Sequence, residues 1–558
     1  MPPVASRRGR RIASKACDTC RDRKVQCVFE DDSTSCRRCV RAHIGCTFLK
    51  TRKARGPAAR SISNSVGLPI GQLMIEHLCT REIFLAILED YTELVWPLLP
   101  LVHLPSLTQI LSAREYATNP ASFRLCISLC AVTVASIPRK FDEYGDSRYS
   151  DVAEMVDRAC HLVLLSRVQS APDWQNRPSM GNMIVSILLS MASHYAGRHN
   201  QGWGYASEAI QFFQALELFR KEGYGMLSVL DGQLCKRAFW VLYIIQIHDR
   251  LSFMVPHTGL SFNPLHTDWE YLIPSQKEDE DISAQDLFEI DEVGTNIETD
   301  YDHRPLPVIS GFVALVKVFL SVVDFLSNGF PGAPPQAFAM TSGPLQTLVY
   351  PESQSEGSKF PASRSTGDLN SLVHILRRLQ NVLTELPTEL KIPDHDQMPH
   401  SRYGNIGSSL TRLNQFDSMR ANIHVTSLYI QSKILEACLA TFSASCPGDD
   451  NSTAEDILRS SPEGGSRNQL WSFRVSIAHE LLQVLHFCSS RTLEANGASM
   501  IVKIREIAAT LLDVDDELDA STELQEQFRQ YVVQFADILA DLDHLGYSTV
   551  IPPIFSAH

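Results

Sequence analysis

The chain has 558 residues, 44% of them hydrophobic, and a net charge of −14 at neutral pH. Its longest apolar run, residues 308–326, is interrupted by Lys317 and Asp324, which excludes a membrane span and predicts a buried helix. The first residues, MPPVASRRGRR, contain no apolar segment. We therefore expect no secretory signal, no oxidising compartment and no membrane partner.

Charge is divided unevenly along the chain. Residues 1–60 contain 16 Lys and Arg but only 5 Asp and Glu, a net charge of +11, whereas the remaining residues carry −25. A basic N-terminal segment followed by an acidic remainder is typical of proteins that bind nucleic acid through that segment. The charge distribution therefore predicts a nucleic-acid partner for the first 60 residues.

Six of the 14 cysteines form two triplets with identical spacing. The triplets are Cys17-x2-Cys20-x6-Cys27 and Cys36-x2-Cys39-x6-Cys46. Zinc prefers four ligands in a tetrahedron, so six thiolates are too many for one ion and too few for two separate sites. Two ions can each have four ligands only if two sulfurs bridge, and the pseudo-symmetry of the repeat favours Cys17 and Cys36. The two expected ligand sets are Cys17, Cys20, Cys27 and Cys36, and Cys36, Cys39, Cys46 and Cys17.

Two other interpretations of the triplets are disfavoured. Three disulfide bridges need an oxidising compartment, and a zinc knuckle without bridging sulfurs leaves two thiols unused. The segment is too short for a hydrophobic core, so metal binding is expected to supply most of its folding free energy. His43 lies among the cysteines, but six thiolates already complete both tetrahedra, so we expect it to be an exposed spacer.

Basic residues lie between the cysteines, and we expect those of the first triplet on one short helix. The basic residues of the module are Arg21, Arg23, Lys24, Arg37, Arg38 and Arg41.

The cysteines and the Cys-Arg-x-Arg-Lys-x-x-Cys segment resemble the fungal Zn2Cys6 binuclear zinc cluster transcription factors. The family pattern C-x2-C-x6-C-x5–12-C-x2-C-x6–8-C is met in full by residues 17–46. The resemblance implies two zinc ions, two short pseudo-symmetric helices, and a first helix that reads a CGG-like triplet in the major groove of double-stranded DNA. It also implies that Lys24 contacts a base, with Arg23 as the neighbouring candidate, while the other arginines bind phosphates.

Basic clusters flank this module in a flexible N-terminus, residues 1–16, and a linker, residues 47–71. Both clusters suit nuclear import, additional phosphate contacts, or both. Their members are Arg7, Arg8, Arg10, Arg11, Lys50, Arg52, Lys53 and Arg55. No apolar heptads occur between Phe48 and Leu78, so the chain either binds DNA as a monomer or forms a homodimer through another region.

Residues 72–550 are expected to form a large all-α regulatory domain, because apolar residues recur at helical spacing. One example is the stripe from Ile423 to Leu435. Another runs from Leu524 to Leu542, after a capping box at Thr522, and is expected to end at Gly546. Loops are expected near residues 275–305, 328–366 and 446–468.

Four segments of the body resemble, in order, the regulatory domain of fungal transcription factors. They are Trp96–Pro105, the amphipathic helix Trp203–Leu218, and a helix pair carrying Lys236–Trp240 and Asp249–Ser252. Glu217 stands where that family usually has glycine.

Two further patterns in the body have competing interpretations. We expect Trp96, His103 and Trp240 to pack in the core rather than bind a ligand. Residues 278–302 contain 11 Asp and Glu and no Lys or Arg, which is typical both of disordered activation segments and of solvated loops.

Together these patterns predict a nuclear, sequence-specific transcription factor for RNA polymerase II that controls a metabolic or secondary-metabolite gene set. The body is expected to recruit the transcription machinery or co-regulators, and an inducer could bind there. The alternative is a zinc-dependent protein-interaction regulator that no longer binds DNA specifically, because the loop 28–35 is acidic and Gln26 replaces a common basic residue. An enzyme is disfavoured, since the sequence contains no G-x-G-x-x-G, G-x-x-x-x-G-K-[ST] or G-x-S-x-G motif.

Overall fold

The chain divides into two compact units, Met1–Gly71 and Gln72–His558. The computed structural model describes residues 16–23, 25, 27–29, 35–47, 73–145, 147–253, 267–282, 305–323, 369–392, 408–444, 464–512 and 522–543. Over these ranges the chain forms helices and turns and no strands, as expected of an all-α body.

The first unit contains two five-residue helices, α1 (Asp18–Asp22) and α2 (Arg37–Arg41). Each begins directly after the first cysteine of its triplet. The helix expected to carry three basic residues ends earlier than predicted, and Arg23 lies in the following turn, where its N–H donates to the Thr19 carbonyl at 3.2 Å. Lys24 lies outside the described residues, and the pseudo-symmetry of the two helices remains a prediction.

Helices α3–α17 belong to the second unit. Their bounds are α3 Arg81–Asp90, α4 Leu104–Ser112, α5 Pro120–Ser136, α6 Phe141–Gly145, α7 Val152–Ser170, α8 Met180–Tyr195, α9 His199–Ala215, α10 Val229–Phe253, α11 Ser310–Leu320, α12 Leu369–Thr384, α13 Ser408–Ala444, α14 Gly464–Phe487, α15 Ser490–Glu494, α16 Ala498–Ala509 and α17 Thr522–Asp543.

Two long helices organise the core of this unit. Helix α5 is buried over 13 of its 17 residues and packs against α7 and α8, while α8 packs against α9. Helix α13, 37 residues long, packs against α11, α12, α14 and α16. A helix buried on every side must be apolar all round, which explains why α5 lacks a polar face.

Several predicted helices are confirmed. The apolar run at 308–326 contains the buried helix α11, whose exposed residue is Lys317. The apolar stripe from Ile423 to Leu435 is buried on α13. The last predicted helix is α17, which begins at Thr522, while Gly546 lies outside the described residues.

The loop predictions fall largely outside the described residues. That holds for the whole of 328–366, for 283–304 and for 446–463. The last predicted loop is shorter than expected at its end, because α14 begins at Gly464.

In the described part of the chain no single helix is long and apolar enough to cross a membrane. The pair Pro120–Ser136 and Pro138–Gly145 meets that test only by length and composition, with a bend of 101°. The first of these helices is α5, which lies inside the core.

The predicted helix pair around residues 236–252 is a single helix instead, because α10 continues from Val229 to Phe253. The tryptophans pack in the core as expected. The Trp240 indole N–H donates to the Leu272 carbonyl at 2.8 Å, and the Trp96 indole N–H donates to the Val102 carbonyl at 2.8 Å. Each indole thus buries its ring while satisfying its one donor.

A buried ion pair joins the start of the acidic stretch to the core. The Asp279 carboxylate accepts from the Arg237 guanidinium at 2.7 Å and from the Leu104 N–H at 2.9 Å, and both charged side chains are 1–2% exposed. His103 is half-buried, and its Nε2 donates to the Asp279 carbonyl at 2.7 Å. Asp279 is therefore a core residue rather than part of a solvated loop or an activation segment.

The backbone at the end of α9 accounts for the glycine that the family usually has in place of Glu217. Leu218 N–H donates to the Phe213 carbonyl, and Glu217 N–H donates to the Gln214 carbonyl, which together form a Schellman motif. Glu217 has φ 53°, the left-handed conformation that glycine adopts most easily. Glutamate thus occupies a position where the backbone favours glycine, in keeping with the family's usual glycine there.

We predict that Asp279→Ala lowers the free energy of unfolding by about 3–5 kcal/mol, because it leaves Arg237 buried without its counter-ion. Chemical denaturation of the full-length protein measures the loss. The control is Asp157→Ala, which breaks an exposed pair with Arg198 and is expected to cost about 1 kcal/mol or less. Equal costs for the two variants would contradict a central role for the buried pair.

We predict that Glu217→Gly raises the free energy of unfolding by about 1 kcal/mol, because it relieves the left-handed strain at the end of α9. Thermal and chemical unfolding measure the gain. The matched control is Glu217→Ala, which also removes the carboxylate but keeps a Cβ in the same conformation. A gain of the same size in the alanine variant would assign the effect to charge rather than to backbone strain.

Candidate metal centre

The first unit builds its centre from the turn that follows each leading cysteine. Cys36 is the N-cap residue of α2, and its Sγ accepts from the Cys39 N–H at 3.4 Å. A helix N-terminus favours negative charge, so this position favours a thiolate. The C-x2-C step therefore places the second sulfur beside the first while the helix start stabilises their charge.

The sulfurs lie at distances that fit a shared metal ion. The Sγ–Sγ distances are 3.7 Å for Cys17–Cys36, 3.6 Å for Cys17–Cys39 and 3.6 Å for Cys20–Cys36. A disulfide requires about 2.05 Å, and all six cysteines are free. A tetrahedron with Zn–S bonds of about 2.3 Å has edges of about 3.8 Å. The spacing therefore fits tetrahedral metal coordination and not disulfides.

Two sets of four thiols come together in this unit, and the sulfurs of each set lie within 4.8 Å of one another. The sets are Cys17, Cys20, Cys27 and Cys36, and Cys17, Cys36, Cys39 and Cys46. These sets have the membership expected from the repeat. The cluster can therefore hold metal, while the number of ions and the role of each cysteine remain predictions.

The thiols of the cluster differ in how readily they lose a proton. Burial raises the pKa of the Cys36 thiol, but the hydrogen bond from the Cys39 N–H and those from the Cys39, Cys20 and Cys17 side chains outweigh it and lower the pKa to about 6. Burial and the hydrogen bond to Cys36 raise the pKa of Cys39 to about 12. A divalent cation removes this difference between the cysteines, because each ligand then binds as a thiolate.

Sulfur forms most of the interior of this unit. Five of the six cysteines are buried, and Cys46 is half-buried, with its Sγ accepting from the Cys36 N–H at 3.4 Å. The described apolar residues that pack against the cluster are Ala16, Val25 and Phe29. So few apolar groups cannot offset the conformational entropy of folding, which supports metal as the main source of stability.

A contact between the residues that directly follow the first and the last cysteine of the cluster was not predicted. The Asp18 N–H donates to the Thr47 carbonyl at 2.8 Å, and the Thr47 hydroxyl donates to the Asp18 carboxylate at 2.9 Å. Asp18 is buried and begins α1. The sequence shows an acidic residue in the first turn of a helix, but it does not show that the partner of this residue is Thr47, 29 residues away.

The described basic residues of the unit lie on its surface. Arg23 follows α1, and Arg37, Arg38 and Arg41 belong to α2, and all four are exposed. Arg21 is on α1, but its side chain lies outside the described residues.

His43 is exposed, as predicted for a spacer. Gln26 and the acidic part of the loop 28–35 lie outside the described residues, as do all eight flanking cations.

Comparison with known proteins identifies fungal relatives. Two maltose fermentation regulatory proteins of Saccharomyces cerevisiae are 24% and 23% identical to the chain over 252 and 249 residues, which is 42% of this chain and 50% of each relative. A glucose transport transcription regulator of Lachancea thermotolerans is 41% identical over 62 residues, 11% of this chain and 6% of that protein.

The matched region thus spans about half the length of the maltose regulatory proteins. No family model matches the chain, and no solved structure matches it. The relatives are regulators rather than enzymes, in agreement with the absence of catalytic motifs from the sequence. The chain is thus similar to fungal regulatory proteins, and its own cysteine cluster could hold metal, which together support the resemblance drawn from its cysteine spacing.

Proposed function

We propose that the chain is a zinc-dependent transcription factor whose N-terminal module holds two zinc ions. The observation that carries the proposal is the pair of four-thiol sets sharing Cys17 and Cys36. Two bridging sulfurs give each ion four ligands from six cysteines. The structural role of zinc here is to fold residues 17–46, which have little other core.

We propose that this module reads a CGG-like triplet in the major groove. Lys24 and Arg23 are the base-contacting candidates, since lysine and arginine donate to guanine O6 and N7. The cations expected to bind phosphates are Arg21, Arg37, Arg38 and Arg41. Exposure of Arg37, Arg38 and Arg41 on one short helix supports this role, because several cations on adjacent turns can follow one phosphate backbone.

We propose that the flanking basic clusters serve nuclear import and that the helical body recruits the transcription machinery or co-regulators. The names of the relatives, which concern maltose fermentation and glucose transport, favour a metabolic gene set linked to sugar use over a secondary-metabolite set. An inducer that binds the body is a further proposal, and the relatives' regulatory roles support it. A homodimer is also proposed, formed outside residues 48–78, which contain no apolar heptads.

The second candidate is a zinc-folded protein-interaction regulator without specific DNA binding. Its support is confined to Gln26 and the acidic loop 28–35, which weaken the electrostatic match to DNA. Both candidates need the folded zinc module, so a DNA-selection measurement with metal bound separates them.

We predict that Cys36→Ala removes both metal ions and unfolds the module, because Cys36 belongs to both four-thiol sets. Cys46→Ala affects one set and is expected to retain one ion. Metal per chain, measured by elemental analysis, distinguishes the variants, and Cys488→Ala in the body is the control that keeps both ions. A Cys36→Ala protein with two ions and normal DNA binding would contradict bridging.

We predict that the zinc-loaded full-length protein enriches CGG-like triplets from a random DNA pool. Lys24→Ala is expected to lower affinity for the selected site by about 1–3 kcal/mol, with metal content unchanged. Arg41→Ala, a phosphate-contact variant, is the comparison and is expected to weaken binding to all sequences alike.

One triplet in the enriched sequences would indicate a monomer, and two at fixed spacing a dimer. A protein that keeps its zinc but enriches no sequence would instead favour the interaction regulator.

A further inference from the structure

Lys503 is a buried amine without a counter-ion among the described residues. It lies on α16 and is 4% exposed, and its Nζ donates one hydrogen bond, to the Thr426 hydroxyl at 2.8 Å. Buried lysines are rare unless they are paired, because an ammonium loses its hydration on burial. A single neutral hydroxyl compensates only part of that loss.

Other buried cations of the body have carboxylate partners. Arg237 binds Asp279 at 2.7 Å, and Arg167 binds Glu208 at 2.8 Å. The acid on α16 itself, Glu506, does not play this part for Lys503. Its carboxylate accepts from the Tyr429 hydroxyl at 2.7 Å and from Lys433 at 2.6 Å, both on α13.

The titratable group that faces Lys503 from α10 is His248. Its ring lies 5.8 Å from the Phe319 ring of α11 and 6.1 Å from the Tyr429 ring of α13. Burial and the neighbouring Lys503 lower the pKa of His248 well below its usual value, so this histidine is neutral near pH 7. Burial lowers the pKa of Lys503 to about 7, and no described charged group on α13, α14, α15 or α17 offsets that effect.

Two polar side chains lie between Lys503 and a small cavity beside α13. The Thr426 hydroxyl accepts from Lys503 and donates to the Asn422 side-chain oxygen at 3.0 Å. Asn422 borders a small cavity of about 10 Å³ between α11 and α13, whose lining includes Phe312 and Met419. A cavity of that size holds about one water molecule, and Thr426 and Asn422 are the described polar groups that connect it with Lys503.

We propose that Lys503 is a proton-sensitive switch in the packing of α16 against α13. The neutral amine fits the apolar junction as a donor to the Thr426 hydroxyl, whereas the ammonium lacks both a carboxylate and a hydration shell there. Protonation therefore loosens α16, and a fall in pH across neutrality changes the body of the protein. This inference does not depend on DNA binding.

The direction of the pH effect follows from proton linkage. The pKa of Lys503 is lowered in the folded protein, so between about pH 7 and about pH 10.4 the opened state binds one proton more than the closed state. Stability of the junction therefore rises with pH across that window, by up to tenfold in the opening constant per pH unit. Below about pH 7 both states carry the proton, and the effect levels off.

Hydrogen exchange of the zinc-loaded full-length protein tests the switch. Protection factors of the α16 amides are expected to rise roughly 25-fold between pH 6.5 and pH 8.5 in the wild type, for a single group that titrates near pH 7. Lys503→Met, which is close in size and never charged, is expected to show high protection at every pH. Lys433→Met is the control, since it removes a paired lysine of α13 and leaves the pH dependence in place.

The same pH dependence in Lys503→Met as in the wild type would overturn the proposal, as would constant α16 protection in the wild type. Thr426→Val adds a second, independent readout. It removes the hydroxyl that accepts from the ammonium, so the rise in protection is expected to begin at a lower pH. A rise that begins at a higher pH would contradict the assigned contact.

Discussion

The spacing of six sulfur atoms is the constraint on which the N-terminal unit depends. Distances of 3.6–3.7 Å between thiols of different triplets are too long for disulfides and close to the edge of a zinc–thiolate tetrahedron. Because the unit has so few apolar residues, its geometry follows from those distances rather than from a hydrophobic core. Positions of α1 and α2, and of the arginines they carry, follow in turn from the cysteine that precedes each helix.

The body is organised by the opposite principle, a large apolar core in which polar groups occupy few, specific places. Asp279 shows how such a group is retained. Its carboxylate accepts from Arg237 and from the first turn of α4, and its carbonyl accepts from His103. These contacts join segments far apart in sequence, because α4, α10 and the turn at Asp279 meet at one buried charge pair. Removing one partner leaves a charge in the core, which costs more than an exposed pair contributes.

Much of this arrangement could be predicted from sequence where the signal is local or repetitive. The membership of both thiol sets follows from the spacing of two triplets, and helix α11 follows from a long apolar run that Lys317 and Asp324 interrupt. Contacts between distant residues could not be predicted this way. Asp279 lies in an acidic run whose composition is typical of exposed segments, and its partner Arg237 is 42 residues away. The partner of Asp18 is likewise outside any local pattern.

Backbone conformation at the end of α9 was not predicted, although the family resemblance marked the residue concerned. Glu217 stood out because related domains usually have glycine there, and the structure supplies the physical reason, a left-handed residue in a Schellman motif. The sequence does not indicate that Lys503 is buried, since a lysine within an apolar helix normally extends its amine to solvent.

The buried cations of the body can be ordered by what compensates their charge. Arg237 has a fully buried carboxylate, and Arg167 has a partly exposed one, at 21%, with the ring of Trp174 4.3 Å from its guanidinium. Lys503 has one neutral hydroxyl. The folded state holds a carboxylate against each of the first two. The third changes charge near pH 7 because the described residues offer it no counter-ion, and that difference makes the junction of α16 with α13 sensitive to protons.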